Sequence, residues 1–533
     1  MTADRYWIVA VGVIGLFWPV PAAWAQPAAA EPAGAAVPGQ GDDLPQEPTE
    51  AEPVRTEPDE VSTDLGLGPV PRHESDAVHD AAAAQPTPLE ASPRPAFEPS
   101  ASAEPDSPPP FAPLRPHARS RDATAALFPS ASVFSRFEAR DGYDRLGVSR
   151  GRWLEGEWVA YRARFGLRTA PQPLGEQSRA ILQFTPQASG IWGELPSTVS
   201  DAQLGLHEGY LRLKNPWLQL DLGRFVMDYG DALVIGSLGW HQTGRSFDGA
   251  RARFLPGDAG LWIDAFVTQQ AEGLTRGDDS ERRIENFGHG DEYLVGAYVG
   301  LGPALGSRIQ LDLYSLAQIW PRTNGVPLDE TDPRTTYVTY STAVQSTTGL
   351  RIKQRLGPLD YRAEGGVQTG HRPALGGKQS VRAFQADIEL GLNLLEDRFR
   401  LAVEGLYASG DDPTTPLEAE GWDQLYPTAH KWLGLSDIIG PRTNVYGPVG
   451  HLGIRLLEPL RLEWHAHAFY RPQRADAADA YAGTEIDTVV RYGLGSGLEL
   501  RGLWAYFAAS EDHFAEDGTA NYGELELHYC FGP

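Results

Sequence analysis

The stretch "TGLRIKQRLG" places Leu350, Ile352 and Leu356 on one side of an extended chain and Arg351, Lys353 and Arg355 on the other. "FDGARARF" repeats the pattern, with Ala250, Ala252 and Phe254 opposing Arg251 and Arg253. Alternation of this kind is the period-two signature of a β-strand with two unlike faces. The same parity recurs at Asp221, Asp264 and Asp312, at Arg362 with Glu364, at Arg400 with Glu404, and at Glu499 with Arg501. Enclosing so many ions in a dry core costs several kcal/mol each unless every one is well paired. A charged face turned to a wet lumen and an apolar face turned to lipid removes that conflict, and this is the inside-out arrangement of a membrane barrel. The closing "GELELHYCFGP" then puts Leu525, Leu527, Tyr529 and Phe531 against lipid.

From about Ser130 onward, short alternating segments are separated by Gly, Pro, Asn and Asp, and about 18 can be counted, from 131–138 to 521–531. Tight turns such as "KNPW", "RLGPLD", "LEPLRL" and "LGSGLE" alternate with long polar loops at 270–290, 318–346, 410–447 and 471–483. Short turns at one rim and long loops at the other predict an all-β, transmembrane antiparallel β-barrel. A soluble periplasmic β-sandwich would not require that rhythm over some 400 residues. Trp217, Tyr293, Trp464, Tyr470 and Tyr522 stand near strand ends and suit interfacial girdles.

The barrel would occupy 127–533. Ahead of it, Arg5, an apolar run from Tyr6 to about Val20 and "AAWAQ" read as a secretory signal over 1–25. Residues 26–126 are rich in Pro, Ala and Glu, with 18 acids against 6 Arg, and predict a disordered periplasmic linker that could tether an export partner. From 127 onward the chain still carries 52 acidic against 38 basic residues. So acidic a body lacks the cationic surface a nucleic-acid binder needs. The single cysteine, Cys530, excludes an intrachain disulfide. Location in the outer membrane of a Gram-negative bacterium, in contact with its lipid, follows from the export signal and the barrel pattern together.

The segment "LDLGRFVMDYGDALVIGSLGWHQTGRSFDGARARF" resembles the alginate export family of outer-membrane proteins in its Gly-Arg, Tyr-Gly-Asp, Gly-x-x-x-Trp and Arg-x-Phe-Asp-Gly series. "ASGDD" followed by "LYPTAHKWLGLSDIIG" is similar to a second segment of that family. The resemblance implies an 18-stranded barrel that passes an anionic polysaccharide, alginate or a related polymer, through a constriction rich in Arg and Lys with loops folded into the pore. By strand parity Arg251, Arg253, Arg351, Lys353 and Arg355 are the candidates for that lining. Interspersed Asp221, Asp264 and Asp312 would keep a uronate chain from binding too tightly to move, since conduction needs weak, repeated sites. The alternative is a general diffusion porin for small solutes, whose luminal ion pairs pack the wall.

Asp228, Asp231, Arg245 and Asp248 lie in or beside the loop between two motif strands, where they either fold inward as a plug or gate or hold one another in a rim network. His465 and His467 share a strand face at i and i+2, a spacing open to a metal, but the sequence shows no third ligand and they read as solvated luminal histidines. Asp411 and Asp412 in "ASGDDPTTP" read as an Asp-Pro turn ahead of a Ca²⁺ loop. "GLGSG" has no helix after it, and no His-Glu-x-x-His occurs, so neither an enzyme nor a cofactor is expected.

Overall fold

The computed structural model describes residues 127–148, 155–192, 203–256, 260–271, 292–302, 309–321, 323–327, 337–340, 342–374, 377–474, 479–516 and 518–532. The signal and linker expected over 1–126 lie outside the described residues, as do most of the connections at 272–291 and 328–336. Eighteen long strands build the wall. They are β1 Leu127–Asp141, β2 Gly156–Thr169, β3 Ser178–Trp192, β4 Gln203–Lys214, β5 Leu218–Phe225, β6 Phe247–Phe254, β7 Trp262–Ala271, β8 Glu292–Gly300 and β9 Ile309–Trp320. The second half holds β10 Ala343–Leu356, β11 Leu359–Ala374, β12 Gly377–Leu394, β13 Phe399–Ala408, β14 Val445–Leu457, β15 Leu460–Tyr470, β16 Tyr481–Gly495, β17 Leu498–Ala509 and β18 Gly518–Phe531.

Each wall strand pairs antiparallel with its chain neighbours, and β1 pairs with β18 from Ala131↔Phe531 to Asp141↔Asn521. The sheet is therefore a closed antiparallel barrel, and every predicted segment falls on one of its strands. The third strand, expected near 180–185, runs from Ser178 to Trp192. The wall absorbs Pro186 through a shift of register between Thr185 and Pro186, the irregularity a strand proline calls for.

Burial follows the expected parity. On β18, Leu525 and Leu527 are 54% and 46% exposed, whereas Glu524 and Glu526 are 5% and 3% exposed. On β10, Leu350 and Leu356 are exposed and Arg351 is buried. The exposed face is the apolar one, as contact with hydrocarbon demands. Tyr522 departs from the girdle reading: it is buried on the inward face, with its hydroxyl on Glu524.

The outward assignment has a direct consequence for stability. Leu350→Arg or Val403→Arg places a cation on an exposed apolar position of the wall and should cost about 2–4 kcal/mol if the site lies near the bilayer midplane. Equilibrium urea unfolding in lipid vesicles measures that cost, and a silent pair of substitutions would mean the strands are inside out.

Candidate functional site

Two long connections enter the barrel and meet inside it: 226–246, between β5 and β6, and 409–444, between β13 and β14. Their backbones pair directly. Ile235 and Tyr426 form a parallel bridge. The Gly236 N–H donates to Tyr426 O at 2.8 Å, the Tyr426 N–H to Val234 O at 3.0 Å, and the Thr428 N–H to Ala232 O at 2.9 Å. Arg245 Nη1 donates to Pro427 O at 2.8 Å and also reaches Gly236 O. Trp240 of the first loop stacks on His430 of the second, ring centroids 3.8 Å apart.

The first loop crosses from one part of the wall to another. At one end Asp231 accepts from Arg351 Nε at 2.6 Å and from Lys353 Nζ at 3.1 Å, both on β10. Gly230 makes that approach possible, because its φ is +62° and a Cβ there would sit 2.8 Å from Arg351 Cδ. Tyr229 stacks on Tyr298 of β8 at 4.4 Å and donates to Asp264. At the other end Trp240 Nε1 donates to Glu524 at 3.1 Å, and Arg136 Nη1 and Arg162 Nη1 donate to the carbonyls of Trp240 and Gly239. Met227, Val234 and Ile235 pack against Phe247, Phe266, Leu294 and Leu316 of the wall.

The second loop is anchored in the same way. Trp422, Leu433, Ile438 and Ile439 join Leu406, Ala408, Phe469, Phe507 and Ala520 in one buried cluster. The Ser436 N–H and Oγ–H both donate to Glu485 of β16, at 2.8 and 2.6 Å. Gly434, at φ +84°, allows that contact, since a Cβ would stand 2.4 Å from the Glu485 carboxylate. Arg442 reaches Gln385 and Asp387 of β12.

Electrostatics fixes the loop ties at neutral pH. Burial alone would raise the carboxyl of Asp231, but the charges of Arg351 and then Lys353 outweigh it and hold the group well below the usual carboxylate range. A depressed folded-state pKa means that the tie is fully present above the ordinary pKa of about 3.9 and is lost only as pH falls through the lower folded value. Burial pushes Arg245 down to about 10, with Tyr426 and Asp228 opposing the shift, so it stays cationic at neutral pH.

The sequence candidates fall into three groups. Arg251, Arg253 and Arg351 are 3%, 7% and 3% exposed and are paired rather than standing in open water. Asp221 bridges Arg212 and Arg251 at 2.6 and 2.7 Å, Asp264 takes Arg253 at 2.5 Å, and Asp312 takes Arg351 at 2.8 Å. Lys353 and Arg355 are more open, and Arg355 pairs with Asp397 at the short-turn rim. Of the four loop candidates, Asp228 and Arg245 act on each other through their charges, and the others find partners elsewhere. Asp228 accepts from Ser237 at 2.9 Å, Asp231 and Arg245 tie the loop to β10 and to the second loop, and Asp248 pairs with Arg224. Asp248 and Arg224 share the parity of Ala250 and Leu222, opposite to that of Arg251 and Asp221. Composition and periodicity did not mark Trp240 and His430 as partners, although each lies in one of the two motif segments.

Both motif segments thus meet in the inserted loops. The model of the alginate export family matches residues 199–509, which span both loops. The chain belongs to the alginate export family. Within the matched range Tyr229, Asp231, Trp240 and Arg245 of the first segment, and Tyr426 and His430 of the second, join loop to wall or loop to loop in this chain. No curated protein matches the chain in sequence. Among solved structures, Pseudomonas aeruginosa OccK5 (OpdH) aligns at TM-score 0.52 and 12% identity, over 76% of this chain and 98% of that one. P. aeruginosa OpdK, solved with vanillate, gives 0.52 and 13% over 76% and 99%. Acinetobacter baumannii OccAB1 gives 0.52 and 12% over 76% and 96%. These likenesses bear on the fold, an 18-stranded barrel. Together with the family they make the protein an outer-membrane pore, a transport channel.

The buried pairs and the rim pair should respond differently to the same change. Arg351→Gln leaves Asp231 and Asp312 without their guanidinium partner and should cost about 3–5 kcal/mol, with higher single-channel conductance as the first loop loosens. Arg355→Gln should cost about 0–1 kcal/mol and leave conductance unchanged. Urea unfolding and planar-bilayer recording on both variants check this, and equal effects would refute the assignment of Asp231 as the loop's tie.

Proposed function

We propose that this pore secretes an anionic exopolysaccharide, alginate or a related uronate polymer. The observation that carries the reading is the run of inward Arg and Lys on β6 and β10, each within reach of an Asp, beneath loops made from the family's own segments. An Arg guanidinium pairs a carboxylate in two-pronged fashion and stays charged at any physiological pH. A uronate carboxylate can therefore exchange with Asp221, Asp264 or Asp312 at similar energy, giving the weak, repeated binding that lets a polymer advance. The pore itself needs no chemistry beyond this exchange.

Loss of the chain from a polymer-producing strain should abolish secretion and retain polymer in the periplasm. Millimolar oligouronate should also reduce the bilayer current of the purified barrel. Intact secretion together with impaired uptake of small solutes would instead favour the diffusion porin.

Residues 1–25 fit an export signal and 26–126 a periplasmic linker, the latter because its Pro, Ala and Glu composition offers little apolar surface to offset ordering. A chain beginning near Thr124 behind a heterologous signal should still assemble. Heat-modifiable migration on gels checks it, and failure to assemble would give the segment a structural role.

A further inference from the structure

On the wall between β12 and β15, carboxylates and imidazoles converge in a way the pore does not require. Glu389 of β12 lies directly opposite Glu404 of β13, and His451 of β14 directly opposite His465 of β15. His451 Nε2 is 3.2 Å from Glu404 Oε2, and its Nδ1 is 2.7 Å from His465 Nδ1. One ligand atom from each of Glu389, Glu404 and His451 lies within 4.8 Å of the others. We propose that Glu389, Glu404, His451 and His465 form a binding site for a divalent transition-metal ion of the zinc class.

Three observations support a cation there. Opposed like charges destabilise a sheet, and Arg362, the cation that bridges Glu389 and Glu404 at 3.1 Å each, is also claimed by Asp387 at 2.7 Å. Arg400 is likewise divided between Glu389 and Asp360. Second, two nitrogens 2.7 Å apart cannot both present a proton to each other, so at least one of the two imidazoles has its Nδ1 lone pair directed into the contact. Neutral imidazole is the form that ligates metals. Third, the donors are reachable: the side chains of His451 and Glu389 are 17% and 15% exposed. Two imidazole nitrogens with two carboxylates suit Zn²⁺, Cu²⁺ or Ni²⁺, whereas Ca²⁺ and Mg²⁺ favour all-oxygen sets. Adjacent strands with fixed register supply the four side chains. The site is independent of what the pore carries.

The test uses the untagged full-length mature chain in detergent. Zinc titration by calorimetry should show one site per barrel, competed by Ni²⁺ and unaffected by millimolar Ca²⁺ or Mg²⁺. His451→Ala and His465→Ala should each weaken it at least tenfold, and half-buried His513→Ala, outside the site, should leave it unchanged. Heat-modifiable migration verifies assembly of each variant. Electron paramagnetic resonance of the wild-type barrel with one equivalent of Cu²⁺ adds a readout that needs no substitution, with hyperfine structure from two nitrogens expected. Absence of zinc binding, binding indifferent to both histidine variants, or a copper spectrum without nitrogen coupling would overturn the site and leave the four residues as a charge and proton network.

Discussion

The pairing of the first strand with the last is the constraint on which everything else depends. Hydrocarbon offers no hydrogen bonds, so a sheet in a membrane survives only if it has no edge. β1 and β18 supply that closure along eleven residue pairs. Closure then dictates the rest of the wall: with two faces and one lipid environment outside, alternate residues must be apolar, and the remainder point into the tube. Barrels of this strand number are too wide for wall side chains alone to fill. Whatever occupies the lumen has to come from the connections.

The inward face is accordingly not uniform. Where the two inserted loops dock, it carries Phe247, Phe266, Leu294, Phe469, Phe507, Ala408 and Ala520, and the loops answer with Met227, Ile235, Trp422, Leu433 and Ile438. Beside these apolar patches it carries the Arg and Asp pairs, which the first loop also touches, and the Glu and His cluster. Among the described residues the barrel thus contains three buried apolar clusters on its inside, although periodicity presents the inward face only as the polar one. The loops are held by packing as in a soluble protein, and the ion pairs at Asp231 and the hydrogen bonds at Ser436 set their position on that packing.

Much of the barrel is legible in the sequence because its signal is local. Parity places Arg351 inward and Leu350 outward from a few residues of sequence, and the turns mark where each strand ends. The same rule, applied from Phe247 through Arg251 and Arg253, also gives Asp248 the parity opposite to theirs; its place in a motif obscured a conclusion the alternation already contained. What parity cannot supply is distance around the wall. His465 and His467 lacked a third ligand in sequence because His451 and Glu404 stand on other strands, joined to them only by register. Trp240 and His430, 190 residues apart, meet because both loops turn inward, and nothing local to either records the other.

The pairing also bears on how such a lumen can open without leaving a charge stranded. Arg351 has two carboxylates, Asp231 on the loop and Asp312 on the neighbouring strand. Withdrawal of the loop removes the first and leaves the second, so the guanidinium never becomes an unpaired buried ion, the state that makes breaking such pairs costly. It becomes a half-satisfied donor facing the lumen, still oriented by Asp312, which itself accepts from Tyr298 at 3.0 Å. Arg251 and Arg253 differ in that their carboxylates, Asp221 and Asp264, both belong to the wall and stay when the loop goes. A single loop carboxylate therefore acts on one arginine of the series, and removing it changes the lining's available positive charge while leaving the wall's own ion pairs intact.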